Sequence, residues 1–216
     1  ATEFGLGPKA HGLFTSGGSS ANLIAFITAR QTHFGDSGDF RTAVAYASTQ
    51  SHHSVSKGLR LAGIPLHHVR QIPTDSKLRM KPTALDEAIR ADLQAGLDPF
   101  LVISAAGTTN TGAVDPLSAI SDIARHHGIW HHVDGAYGGA FVLCAEGRTK
   151  LRGIACADSI TFDPHKGLFL PYGTGCLLVA DRATLAQTHR SNAEYLEAFE
   201  QSDVDIPPSP SELGPE

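Results

Sequence analysis

The sequence has only three cysteines, Cys144, Cys156 and Cys176, and no CxxC pair among them. An odd set without such a pair argues against disulfides and fits buried free thiols in a reducing, cytoplasmic compartment. No apolar stretch approaches the ~20 residues needed to cross a bilayer. The opening residues, ATEFGLGPKAHG, lack the charged-then-apolar layout of a signal peptide. Positive charge is scarce: 17 Lys+Arg stand against 22 Asp+Glu, a net charge of −5. No basic field is left for nucleic acid or for an acidic membrane, so neither is expected as a partner. The 12 histidines include adjacent pairs at 52–53, 67–68, 126–127 and 131–132, but none falls in HExxH or a Cys/His zinc pattern, and no metal is expected. GxGxxG and a Walker lysine are also missing, which weakens any nucleotide-binding reading. There is no internal repeat and no initiator Met. The last stretch, DIPPSPSELGPE, stops in a Pro-rich loop, and the expectation is a fragment of a longer enzyme.

What is present is enough for a real core: 216 residues, 41% apolar, with 22 glycines marking many turns. Short β-rich runs alternate with longer amphipathic ones. Strands are expected at 42–48, 66–72, 100–107, 129–134, 158–162 and 175–180. Helices are expected at 21–34, 51–63, 82–96, 116–128 and 183–200, several with Pro at the start or Gly at the end. This alternation predicts an α/β fold with a mostly parallel central sheet and helices on both faces. In such sheets ligands bind beyond the carboxyl ends of the strands.

Four segments fall at strand ends or helix starts. FTSGGSSAN (14–22) leads small residues and hydroxyls directly into a helix, an arrangement that suits phosphate; alone, it reads rather as an ordinary N-cap. IWHHVDGAYGG (129–139) ends an apolar strand on Asp134, a carboxylate able to hold a cationic ring nitrogen, or simply a turn residue. DPHKG (163–167) places Lys166 between two strand-like runs. A lysine there can be desolvated and attack a carbonyl, though a lone lysine is more often a surface residue. SAAGTTNTG (104–112) by itself is a polar turn. Together they supply the parts that hold pyridoxal phosphate: a helix N-terminus for the phosphate, Asp134 for the pyridinium and Lys166 for the aldehyde.

TSGGSSANL, SHHSV, AGTTNTGAVDP, HVDGAYGGAF and ADSITFDPHKGLFLPYGTG, in that order along nearly the whole chain, resemble the group II pyridoxal-phosphate-dependent amino acid decarboxylases, the family of aromatic-amino-acid, histidine and glutamate decarboxylases. The resemblance implies the large domain of a fold type I pyridoxal-phosphate enzyme. Residues 1–182 are expected to form part of that domain. Residues 183–216 would be a helix and Pro-rich mobile loop leading to a missing C-terminal small domain. By position, Lys166 matches the family's Schiff-base lysine and Asp134 the pyridinium partner. His52 matches the ring-stacking histidine, and Gly18 and Ser19 the phosphate-binding pair. Thr108 matches a threonine lining the cofactor, Ala136 a residue packed on the ring, and His165 a residue near the phosphate. Tyr195 falls where the family carries a tyrosine on a mobile loop, the candidate proton donor to Cα. The implied reaction turns an L-amino acid into its amine and CO2, in a homodimer. Gly135, Gly167 and Asp163 depart from common family residues, so Asp163 is given no phosphate-binding role; the departures bear on substrate identity more than on cofactor binding. The alternatives are another fold type I lyase, an aldehyde synthase, or a non-catalytic fragment.

Overall fold

The protein is described by a computed structural model covering residues 1–36 and 38–189. Seven strands form one sheet: β1 (His11–Thr15), β2 (Ala43–Ser48), β3 (Val69–Ile72), β4 (Asp98–Ala105), β5 (Trp130–Asp134), β6 (Ser159–Phe162) and β7 (Gly175–Val179). Their spatial order is β1-β7-β6-β5-β4-β2-β3. The block from β3 to β6 is parallel throughout. β7 runs antiparallel to both its neighbours, β6 and β1.

Helices cover both faces, as the near-continuous apolar runs of the central strands require. On one face α1 (Gly18–Phe34), α2 (His53–Leu61) and α7 (Arg182–His189) pack on Ala43, Ala45, Ala47, Leu101 and Ile103. On the other, α3 (Pro82–Gln94) and α4 (Leu117–His127) pack on Val44, Tyr46 and Val102. The alternation along β2, odd positions to one face and even to the other, is the period of 2 of a strand buried on both sides. Further along the sheet, Val133, Ile160 and Leu178 meet Leu151, Ile154 and Phe4. α7 joins the first of these cores through the fully buried Leu185.

The departures from the sequence expectation are local. Residues 66–72 do not form one strand: Leu66–His68 make a 3-10 turn with Leu66 exposed, and β3 starts only at Val69. β1 goes unpredicted, because its stretch reads as the approach to α1; pairing with β7 makes it a strand. The DPHKG segment is no simple strand end either. Pro164–Gly167 form a single helical turn, α6, after β6. Between β5 and β6 lie Gly139–Leu143, a 3-10 segment, and α5 (Ala145–Lys150), which no periodicity announces. The 183–200 helix is described only as far as His189.

Candidate active site

At the carboxyl ends of the parallel strands lies a cavity of about 260 Å³. Gly18, Ser19, His52, Thr108, Asp134, Ala136, His165 and Lys166 all line it, drawn together from the segments following five different strands. Tyr195 lies outside the described residues.

One wall is the N-terminus of α1. Gly17 enters it at φ 145°, a backbone region open to glycine. The amides of Gly18 and Ser19 start the helix and have no intrahelical acceptor, which makes them donors for an anion. A Cβ on Gly18 would lie 2.9 Å from Asp163 Oδ2 and 3.0 Å from the Ala136 Cβ. Glycine is therefore what lets this helix approach the β5 and β6 ends so closely. His165 sits beside the same turn, its Cε1 3.9 Å from where a Gly17 Cβ would be. Its Nδ1–H donates to the Thr174 carbonyl at 2.7 Å, leaving Nε2 for the cavity.

Asp134 closes β5. Its Oδ1 accepts the Ala136 N–H at 3.1 Å and its Oδ2 an N–H of the Asn22 amide at 3.0 Å. Each oxygen keeps a free lone pair, so the carboxylate can take one more donor. His52 caps α2: its Nδ1 accepts from the Ser54 N–H at 3.3 Å and faces the Ser54 hydroxyl at 2.7 Å. Burial, and then the neighbouring His53, push the His52 ring below its ordinary value. A neutral flat ring is thus held at the cavity wall. Thr108 is buried at the cavity edge, but its hydroxyl is engaged with Thr111 at 2.6 Å and with the Ala113 N–H at 3.2 Å.

Lys166 is not buried. Its side chain is 40% exposed, and its ammonium pairs with Asp163 at 2.9 Å. The question its sequence context raises, how a charge is tolerated between two strands, has an electrostatic answer: Asp163, only 2% exposed, supplies the countercharge. Asp163 Oδ1 has no partner among the described residues. The sequence reading left Asp163 out of the site and missed Asn22 and Tyr172, which also line the cavity. Asn22 sits one turn into α1, where its periodicity signals only helix. Tyr172 is 96% exposed and stands with its ring 5.2 Å from that of His165.

This wall of free amides, an acceptor-only carboxylate and an accessible amine fit pyridoxal phosphate by the chemistry of the donor set. Such a layout defines a class, an α/β domain built to hold a phosphorylated cofactor at its strand ends. The chain belongs to the pyridoxal-dependent decarboxylase family, whose conserved domain matches residues 1–209. It is 43% identical over 196 residues to an aromatic-L-amino-acid decarboxylase of Bacillus atrophaeus, covering 91% of this chain and 40% of that protein. It is 36% identical over 189 residues to a phenylacetaldehyde synthase of Arabidopsis thaliana, covering 86% of this chain and 39% of that one. Among solved structures, Oryza sativa TDC with PLP and tryptamine superposes with a TM-score of 0.87 at 33% identity, covering 94% of this chain and 45% of that one. The chain thus spans about two fifths of the length of these relatives.

Proposed function

We propose that the chain is the cofactor-bearing part of a decarboxylase that converts an L-amino acid into its amine and CO2. The observation that carries this reading is the convergence of Asp134, His52, Lys166 and the α1 N-terminus on one cavity. When bound, pyridoxal phosphate supplies a carbonyl for an amine and an electron sink for the pair released with CO2. In this reading the Gly18 and Ser19 amides, with His165, hold the phosphate. Asp134 would accept the ring N–H⁺. His52, kept neutral by burial, would stack on the ring, and Ala136 would pack against it. Lys166 would provide the primary amine that carries the cofactor. Thr108 shapes the edge. Loss of CO2 breaks the bond from Cα to the carboxylate, and a proton must then reach Cα. Tyr195 is the proposed donor.

An aromatic substrate is favoured. Relatives named for aromatic substrates include, besides the Bacillus protein, a tryptophan decarboxylase of Camptotheca acuminata at 40% identity. The likeness to the Arabidopsis phenylacetaldehyde synthase keeps an aldehyde product as the second reading. We further propose a cytoplasmic homodimer. The exposed Phe14, Phe169 and Tyr172, at 77%, 93% and 96%, support a covered face. The test is the full-length gene product, loaded with pyridoxal phosphate and offered aromatic, acidic and basic L-amino acids. CO2, amine and aldehyde are measured together. CO2 with equimolar amine from an aromatic substrate is expected. CO2 with aldehyde selects the second reading, and no CO2 from any substrate refutes both.

A further inference from the structure

Behind Asp134 a line of polar side chains runs between α1, β5 and β6. Trp130 Nε1 donates to Ser159 Oγ at 2.9 Å. Ser159 Oγ lies 2.7 Å from His132 Nδ1, and His132 Nε2 lies 3.0 Å from Asn22 Oδ1. Asn22 Nδ2 then donates to Asp134 Oδ2 at 3.0 Å. The three middle members are sealed from water: Asn22 is 1% exposed, His132 and Ser159 0%. The His132 ring stands edge-on to Phe26, with centroids 5.5 Å apart. Asn22 Nδ2 also lies 3.5 Å from the Ser54 hydroxyl, the group that holds His52.

The protons along this line have one consistent order. An ionised carboxylate only accepts, so Asn22 must turn its NH2 to Asp134 and its oxygen to His132. His132 Nε2 then carries the ring proton. Burial pushes this histidine down to about 3, so the ring is neutral and Nδ1 is bare. The Ser159 hydroxyl donates to it and accepts from the Trp130 indole, which can only donate. Four hydrogen bonds run head to tail and end on Asp134, each polarising the next. The opposite order is disfavoured: both Trp130 and His132 would then donate to Ser159, and the Ser159 proton would lose its acceptor in a fully buried site, a costly arrangement.

We propose that Asn22, His132, Ser159 and Trp130 are positioning residues that fix the Asp134 carboxylate toward the ring nitrogen of the cofactor. The proposal rests on the reading of Asp134 as the ring's partner and extends it to four residues that act through that carboxylate.

The test uses the full-length holoenzyme and the variants Asn22→Ala and Ser159→Ala, alone and combined with Asp134→Asn. The readouts are the pyridoxal phosphate dissociation constant, kcat and KM separately, and the His132 tautomer by 15N NMR. Asn22→Ala should weaken cofactor binding about tenfold or more, as expected for losing a hydrogen bond to a charged group. Ser159→Ala, two bonds further back, should weaken it less. Both should lower kcat at unchanged KM, and neither should add to the loss already caused by Asp134→Asn. His132 should carry its proton on Nε2. Ser159→Ala only trims a hydroxyl, so it decides the matter if Asn22→Ala fails to fold. Additive losses on the Asp134→Asn background overturn the relay alone, as does a proton on His132 Nδ1. Wild-type cofactor affinity and kcat in Asp134→Asn itself refute the reading of Asp134, and the relay with it.

Discussion

Asp163 and Lys166 are bound to each other's state. The carboxylate is almost wholly buried, its Oδ2 is 2.9 Å from the Lys166 ammonium, and its Oδ1 has no partner among the described residues. Lys166→Ala therefore has two expected outcomes. The full-length protein should form no borohydride-reducible adduct with pyridoxal phosphate, read by mass spectrometry of the digested protein. The apoprotein should also lose about 1 kcal/mol of stability in urea unfolding, because Asp163 is left without its charge-assisted partner; the exposure of Lys166 keeps this cost at the low end. A reducible adduct in the variant would remove Lys166 from its proposed role. Tyr195→Phe tests the proposed proton donor. Loss of CO2 needs no phenol, so CO2 release should persist while the product shifts from amine toward aldehyde and the cofactor is consumed. Unchanged amine yield would make Tyr195 a packing residue. That Lys166, His52 and Asp134 would meet at one strand-end cavity was readable from their short motifs. Asn22 was not, because a side chain in a helix run gives no sign of which carboxylate it will meet across the fold; Asp163 was not, because its pairing with Lys166 three residues on depends on the single helical turn that follows β6.

Between the elements, a buried polar tie outside the cavity joins α3 to β2 and β3. The Tyr46 hydroxyl, fully buried on β2, donates to Asp92 Oδ2 of α3 at 2.8 Å. Arg70 of β3 grips the same carboxylate, NH2 to Oδ1 at 2.6 Å. Burial, and then the bond to Asp92, raise the Tyr46 hydroxyl above its ordinary value, so it stays a donor. Tyr46→Phe keeps the ring and removes one hydrogen bond; thermal or urea unfolding should show a loss of about 1 kcal/mol. Asp92→Ala strands both partners and should cost about 2–3 kcal/mol, below the range for a fully buried ion pair because Arg70 is partly exposed. Equal losses in the two variants would show that Arg70 gains nothing from the pair. The helices α3 and α4 and the strands β2, β4 and β5 were readable, since their periods and their Pro or Gly ends are local signals. β1 and α6 were not, because one becomes a strand only by pairing with β7 and the other is a single turn after Pro164.

At the scale of the molecule, the adjacent pair His131 and His132 sets an acid limit on stability. The two rings share β5 and point to opposite faces. His131 is held by Ser104 at 2.7 Å and Ser121 at 2.8 Å, and His132 by Ser159 and Asn22. Burial pushes both down to about 3, with His131 adding to the effect on His132. Their folded values lie below the unfolded 6.5, so their contribution is present above about pH 6.5 and is lost as pH falls toward 3. Asp115 and Asp158 are shifted upward, chiefly by burial, and act in the opposite sense. Around pH 5–6 the histidines dominate, because the unfolded chain already binds protons there. Unfolding free energy should fall by up to about 2.7 kcal/mol per pH unit at the acid end of that window, two protons' worth. Urea unfolding at pH 7 and pH 5.5 checks this, and His131→Gln should shrink the slope by up to one proton's worth, about 1.4 kcal/mol per pH unit. A flat profile would mean that the two rings can take up protons in the folded state.

The sequence by itself determined the α/β class, most of the element order and the cofactor chemistry. These rest on local properties: hydrophobic period, Pro and Gly at element ends, and the residue types that phosphate, a ring nitrogen and an aldehyde require. Only the tertiary structure decided the sheet order, the reversal of β7, the pairing of Asp163 with Lys166 and the line from Trp130 to Asp134. All but the Asp163–Lys166 pair, which lies within one helical turn, depend on residues far apart in the chain, Asn22 and Asp134 being separated by 112 positions. A hydrogen bond or ion pair over such a span forms only once burial has brought the elements together and removed water as the competing partner.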